Sequence, residues 1–160
     1  MIDDIDKHIL SIVQGNGRES NAEIARQVGL APSAVLERIR KLEDRGVIRG
    51  YSASVDPKQV GFGLTAFVFV QTHECDYGTD SLLAEIPEVL EVHDVAGEDS
   101  YLLKMRAADP EDLSRLMREK LKAIPNVSST RTTIVLQTVK ETTALPLDRC
   151  AGGPAKGKRK

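Results

Sequence analysis

Residues 31–45, APSAVLERIRKLEDR, admit few folds, because they form a helix that carries chemistry on one side only. Pro32 suits the first helical turn, where its missing N–H would have no partner anyway, and the next proline is Pro57. Val35, Ile39 and Leu42 recur at i, i+4 and i+7 and share a stripe that must be buried. The opposite arc carries Ser33, Ala34, Glu37, Arg38, Lys41 and Arg45, with Arg40 at its edge. A helix that is small and hydroxylated at its start and cationic further along is what a DNA major groove admits.

The residues just upstream sharpen this. Ser20-Asn21-Ala22-Glu23 has the S-x-x-E form of a capping box and opens a short helix with Ile24, Ala25 and Val28 on one face. Gly29 closes that helix, and Gly29-Leu30-Ala31 is a turn of helix-turn-helix length. A helical hairpin with a merely solvated charged arc is the plainer alternative. Capped helix, glycine turn and proline-started basic helix in succession favour the helix-turn-helix. Ser33, Ala34, Glu37, Arg38 and Lys41 are then expected at base edges, with Arg38 a candidate guanine reader, and Arg40, Arg45 and Arg49 nearer phosphate.

Charge supports that division of labour. Residues 1–60 hold 9 Lys+Arg and 9 Asp+Glu, residues 61–150 hold 9 and 15, and residues 151–160 hold 4 cations and no acid. An acidic middle is a poor surface for phosphate, so DNA contact belongs to the first third, with a steep salt dependence. With 3 Phe, 3 Tyr and no Trp, no platform for stacking single-stranded bases is evident.

A first helix at about 4–14, capped at Asp3-Asp4 and with Ile5, Ile9, Ile12 and Val13 on one face, completes a three-helix head. Gly46 stops the third helix, and Val47 to Val55 reads as a strand-like, partly extended connector turned by Asp56-Pro57. From Leu64 the apolar period changes from 3.6 to 2. Strands are expected at Leu64 to His73, Val89 to Ala96, Tyr101 to Ala107 and Val127 to Lys140, with helices at Asp80 to Ile86 and from Asp109 onward. Leu113, Leu116, Met117, Leu121 and Ile124 form the second helix's buried stripe. The segment AEIPEV at 84–89 recurs as KAIPNV at 122–127, each at a helix-to-strand corner.

The fold class is therefore α+β: a three-helix helix-turn-helix head (1–50), an extended hinge (51–63), a ferredoxin-like βαββαβ domain (64–147) and a disordered basic tail (148–160). Apolar residues facing both ways from the strands suggest a second subunit on the sheet's open face.

With these parts placed, the chain resembles the leucine-responsive regulatory protein/AsnC family of transcription regulators from about Asp3 to Leu147. The resemblance rests on Asp3-x-x-Asp6-x-x-Ile9-Leu10, the run from Val28 to Glu43, Gly46-Val47-Ile48-Arg49-Gly50-Tyr51, Val95 to Leu103, and Val139 to Leu147. It implies a double-stranded DNA partner, a homodimer assembling into tetramers or octamers, and a small effector, usually an amino acid, at the turn after the second strand. That turn maps to Gly97, Glu98, Asp99, Ser100 and Tyr101, with Ser129, Thr130 and Thr132 of the last strand as neighbours. Backbone N–H groups can hold a carboxylate there while an acid holds an ammonium. The chain departs from the family at this point: Asp99 takes an aromatic position and Ser100 that of a second aspartate. A plain hairpin turn accounts for the same residues equally well. Ala31 also stands where the family often has a capping serine.

His8, His73 and His93 lack a second ligand at i+3 or i+4, so no metal is expected, and no cofactor-binding loop or nucleophile motif marks an enzyme. Cys75 and Cys150 suggest reduced thiols in a cytoplasmic protein, with no membrane span and no signal peptide. Two rival readings remain at this level: a DNA-compacting architectural protein without an effector, and a ferredoxin-like metabolite-binding or enzymatic module.

Overall fold

The computed structural model describes residues 2–73 and 78–147. Cys75, Cys150 and the basic tail lie outside the described residues. Two compact units emerge, one holding the described residues up to Ser54 together with those from Glu141, the other Val55–Lys140.

In the first unit, α1 (Asp4–Gly15), α2 (Asn21–Val28) and α3 (Pro32–Asp44) pack around Ile9, Ile24, Ala25, Val35 and Ile39. The caps are only partly those the sequence suggests. Ser20 accepts from the Glu23 N–H, but the Glu23 carboxylate turns away to Arg26 and Gln27, so the reciprocal half of that box is missing. A complete capping box forms instead on α1, where Asp3 and Asp6 each accept the other's backbone N–H. Ala31 caps α3 with no side-chain bond. Gly29 adopts φ 71° at the end of α2, a left-handed conformation that costs a side-chain-bearing residue about 1 kcal/mol or more.

The connector after α3 is not a strand, since no neighbouring chain segment pairs with it; its first bonds run back from the Val47 and Ile48 N–H groups to the Leu42 carbonyl. Tyr51 holds it down, donating to Glu43 at 3.0 Å and lying over Gly17, where an added Cβ would come within 3.2 Å of the ring. The chain returns to this unit late. Gln14 donates to the Leu145 carbonyl at 3.2 Å and accepts the Leu145 N–H at 2.7 Å, which places residues 141–147 with the head rather than with the sheet domain expected to run to Leu147.

The second unit is a four-stranded antiparallel sheet in the order β2-β3-β1-β4, with β1 at Leu64–Thr72, β2 at Val89–Asp94, β3 at Tyr101–Ala107 and β4 at Val127–Ile134. This is the ferredoxin-like βαββαβ arrangement. Helices α4 (Thr79–Ala84) and α5 (Pro110–Leu116) join a core of Ala66, Val68, Val70, Leu83, Leu103, Met105, Leu113 and Leu116. A π-helical turn over Met117–Leu121 follows α5, and its wider pitch lets Leu116 and Leu121 both be fully buried. The repeated corner is real in three dimensions: Val89 N–H bonds to the Ile86 carbonyl and Val127 N–H to the Ile124 carbonyl, at 3.0 and 3.1 Å. β4 stops at Ile134, short of the expected Lys140, because its partner β1 begins at Leu64 and offers no more ladder.

Candidate nucleic-acid interface and effector site

The buried stripe of α3 is the expected one, with Val35, Ile39 and Leu42 at 0, 8 and 1% exposure. Ser33, Glu37, Arg40, Lys41 and Arg45 are exposed, and Ala34 is half-buried. Lys41 Nζ lies 2.6 Å from Glu37 Oε1, an i,i+4 pair on the outward arc that holds the Glu37 carboxyl below its ordinary range. Arg40, Arg45 and Arg49 form no ion pair among the described residues, which leaves their guanidinium groups available to an external anion.

Arg38 departs from the sequence expectation. Its Nη1 lies 2.7 Å from Asp3 Oδ2 and 2.7 Å from Asp6 Oδ1, so the guanidinium points back to α1 rather than out toward bases. The cause is position: Arg38 sits on the shoulder of α3, where the buried stripe meets the outward arc and the start of α1 passes within reach. The Asp6 N–H first, then Arg38, holds the Asp3 carboxyl below its usual range, and the two carboxylates raise the Arg38 guanidinium in turn. In the sequence Asp3 reads as a helix cap and Arg38 has no evident partner, because periodicity within one helix carries no information on which residue of another lies opposite.

In the second unit the expected effector residues separate by face. Thr130 and Thr132 pair with Val70 and Val68, so strand alternation sends them to the helix-covered side, where Thr132 Oγ1 approaches Met117 Sδ at 3.9 Å. They are thereby parted from Ser129, which pairs with Gln71 on the open face and donates to it at 2.7 Å. The turn itself folds over the end of β1. Gln71 donates to the Glu98 carbonyl at 3.1 Å, Ser100 N–H reaches the Val70 carbonyl at 2.8 Å, and the Ser100 and Thr72 hydroxyls meet at 2.9 Å. Asp99 pairs with Arg131 at 2.7 Å, and the Arg131 guanidinium lies 4.3 Å from the centre of the Phe69 ring. Gly97 and Glu98 are exposed at the tip, while Tyr101 packs against the core. Arg131, Gln71 and Phe69 were not anticipated; the signal for them is cross-strand register, which appears only once β1 and β4 are aligned.

Residues 65–145 match the Lrp/AsnC ligand binding domain, and residues 2–49 match a winged helix-turn-helix DNA-binding domain. The chain belongs to the Lrp/AsnC family. It is 40% identical to an HTH-type transcriptional regulator of Pyrococcus horikoshii, over 91% of this chain and 97% of that protein. Among solved structures of the family, a Neisseria meningitidis transcriptional regulator in complex with L-methionine superposes with a TM-score of 0.87 at 34% identity, covering 93% of this chain and 99% of that one. The feast or famine regulatory protein of Mycobacterium tuberculosis, complexed with L-methionine, gives a TM-score of 0.83 at 38% identity over 88% and 96%. As an Lrp/AsnC protein, the chain is a DNA-binding transcription regulator with an effector-binding domain. Among the described residues no helix is long and apolar enough to cross a membrane, and no group of His, Cys, Asp and Glu could hold a metal ion.

Proposed function

We propose that α3 enters the major groove of duplex DNA, with Ser33, Ala34, Glu37 and Lys41 toward base edges and Arg40, Arg45 and Arg49 against phosphates. One observation carries this: a fully seated apolar stripe on one side of α3 and, on and just beyond it, three cations without ion pairs among the described residues. Arg38 is withdrawn from the base-reading set, because its guanidinium is turned back onto Asp3 and Asp6 at the start of α1, whereas the paired Glu37 and Lys41 lie on the outward arc.

The effector is an amino acid or a close analogue, taken at the turn Gly97 to Ser100 beside Ser129 and Arg131. Asp99 and Arg131, which hold each other at 2.7 Å, can exchange that contact for an ammonium and a carboxylate, and two relatives bind L-methionine. The working form is a homodimer or a larger assembly of dimers. Phe67, Phe69 and Leu102 are only half-buried on the face of the sheet opposite the helices, which suits coverage by a second subunit. The protein acts in the cytoplasm as a binding protein and not as an enzyme.

Gel-shift titration against genomic fragments at two salt concentrations, with and without a panel of amino acids, tests the reading. It predicts a strong preference for a few fragments, loss of binding at higher salt and a shift with at least one amino acid. Uniform binding to all fragments with no amino-acid effect would point to an architectural protein instead.

A further inference from the structure

Arg38 is anchored by an acceptor site built from the capping box of α1. Each aspartate spends one oxygen on the capping box and one on Arg38: Asp3 uses Oδ1 for the Asp6 N–H and Oδ2 for Arg38, and Asp6 uses Oδ2 for the Asp3 N–H and Oδ1 for Arg38. The cap fixes both carboxylates to the backbone of α1, so the guanidinium they hold has little freedom. α3 is otherwise seated by Val35, Ile39 and Leu42, whose aliphatic contacts carry no directional bond to fix the rotation of the helix about its axis. Ala34, Glu37 and Lys41 stand at i−4, i−1 and i+3 from Arg38 and would be carried with such a roll.

We propose that Asp3 and Asp6 are specificity-determining positioning residues, which hold Arg38 and thereby set the angle at which α3 presents Ala34, Glu37 and Lys41 to the bases. This rests on the reading that α3 enters the groove. It makes a prediction that electrostatics alone does not: carboxylates beside a polyanion oppose binding, so removing one should tighten contact with DNA of any sequence, whereas the loss of positioning also lowers discrimination between sequences.

The test uses the full chain and two duplexes, one selected by the wild-type protein from a randomised pool and one of random sequence, with dissociation constants measured at two salt concentrations. Asp6→Asn retains the shape but offers one acceptor oxygen where two are used. Asp3→Asn is the second variant, since asparagine caps a helix as well as aspartate and so preserves the fold. Each, like Arg38→Ala, is expected to lower the ratio of selected to random affinity by about tenfold, within the usual cost of a poorly met base pair. Random-duplex affinity of the two asparagine variants should be unchanged or higher, and Asp6→Asn combined with Arg38→Ala should be no worse than Arg38→Ala alone. If both asparagine variants, folded by circular dichroism, keep or raise the ratio while Arg38→Ala lowers it, Arg38 reads bases itself and the proposal is overturned. Wild-type protein that binds neither duplex at either salt would overturn the groove reading, and this proposal with it.

Discussion

Arg131 and Asp99 close a 2.7 Å ion pair that ties the turn after β2 to the outer strand β4, with the Arg131 guanidinium lying over Phe69. The arginine side chain is 65% exposed and the aspartate 13%, so the pair adds at most about 1 kcal/mol to global stability. Its effect is local. Arg131→Ala is expected to leave the denaturation midpoint nearly unchanged while amide exchange across Gly97 to Ser100 accelerates by up to about fivefold, an opening free-energy change of at most about 1 kcal/mol. Hydrogen exchange read by mass spectrometry checks this, and unchanged exchange in the turn would show that the Gln71 and Ser100 bonds suffice.

The start of α3 can be improved. Ala31 already has the extended backbone of an N-cap, φ −73° and ψ 147°, but no side-chain acceptor. Ala31→Ser should stabilise the head by about 1 kcal/mol, visible as a higher midpoint in urea. A lower midpoint would mean that the hydroxyl finds no N–H in the first turn.

Acid should weaken the contact between α1 and α3. The Asp3 carboxyl is held below its ordinary value of 3.8, by the Asp6 N–H and then by Arg38. A carboxyl with a lowered folded-state pKa contributes stability that is complete above its unfolded value and disappears as pH falls through the folded one. The stability difference between wild type and Asp3→Asn is therefore expected to be constant from pH 7 to about 5 and to narrow below about 3.8. Urea midpoints for both proteins across that range decide it; a gap that widens with acid would contradict the assignment.

The sheet core should behave as an ordinary close-packed interior. Leu103 is fully buried on β3, in the middle of the sheet's cluster. Leu103→Ala is expected to destabilise the second unit by about 2–5 kcal/mol, measured by chemical denaturation. A loss below about 1 kcal/mol would mean the site collapses around the smaller side chain.

Much of this was legible in the chain because it is local. The period of Val35, Ile39 and Leu42, the stop at Gly29, and the alternation of Leu103 and Met105 depend on neighbours within a turn or two. The repeated corner was readable for the same reason, and its two copies make the same hydrogen bond. What depended on contacts distant in sequence was not. Arg38 meets Asp3 35 residues away, Leu145 meets Gln14 131 residues away, and Arg131 meets Asp99 across 32. The separation of Thr130 and Thr132 from Ser129 has the same origin, since their face is set by pairing with β1 rather than by their own composition. So has the overlong final strand, which ends where its partner begins.

The cations on and beyond α3 are proposed to lie against DNA phosphate. The most direct test is the salt dependence of binding to a wild-type-selected duplex, for wild type, Arg45→Ala, Arg49→Ala and the double variant. Plots of log K against log salt should flatten by about 0.9 for each cation removed and by about twice that for the pair. Slopes that stay the same in all three variants would contradict the claim, because those cations would then displace no counterions from the duplex.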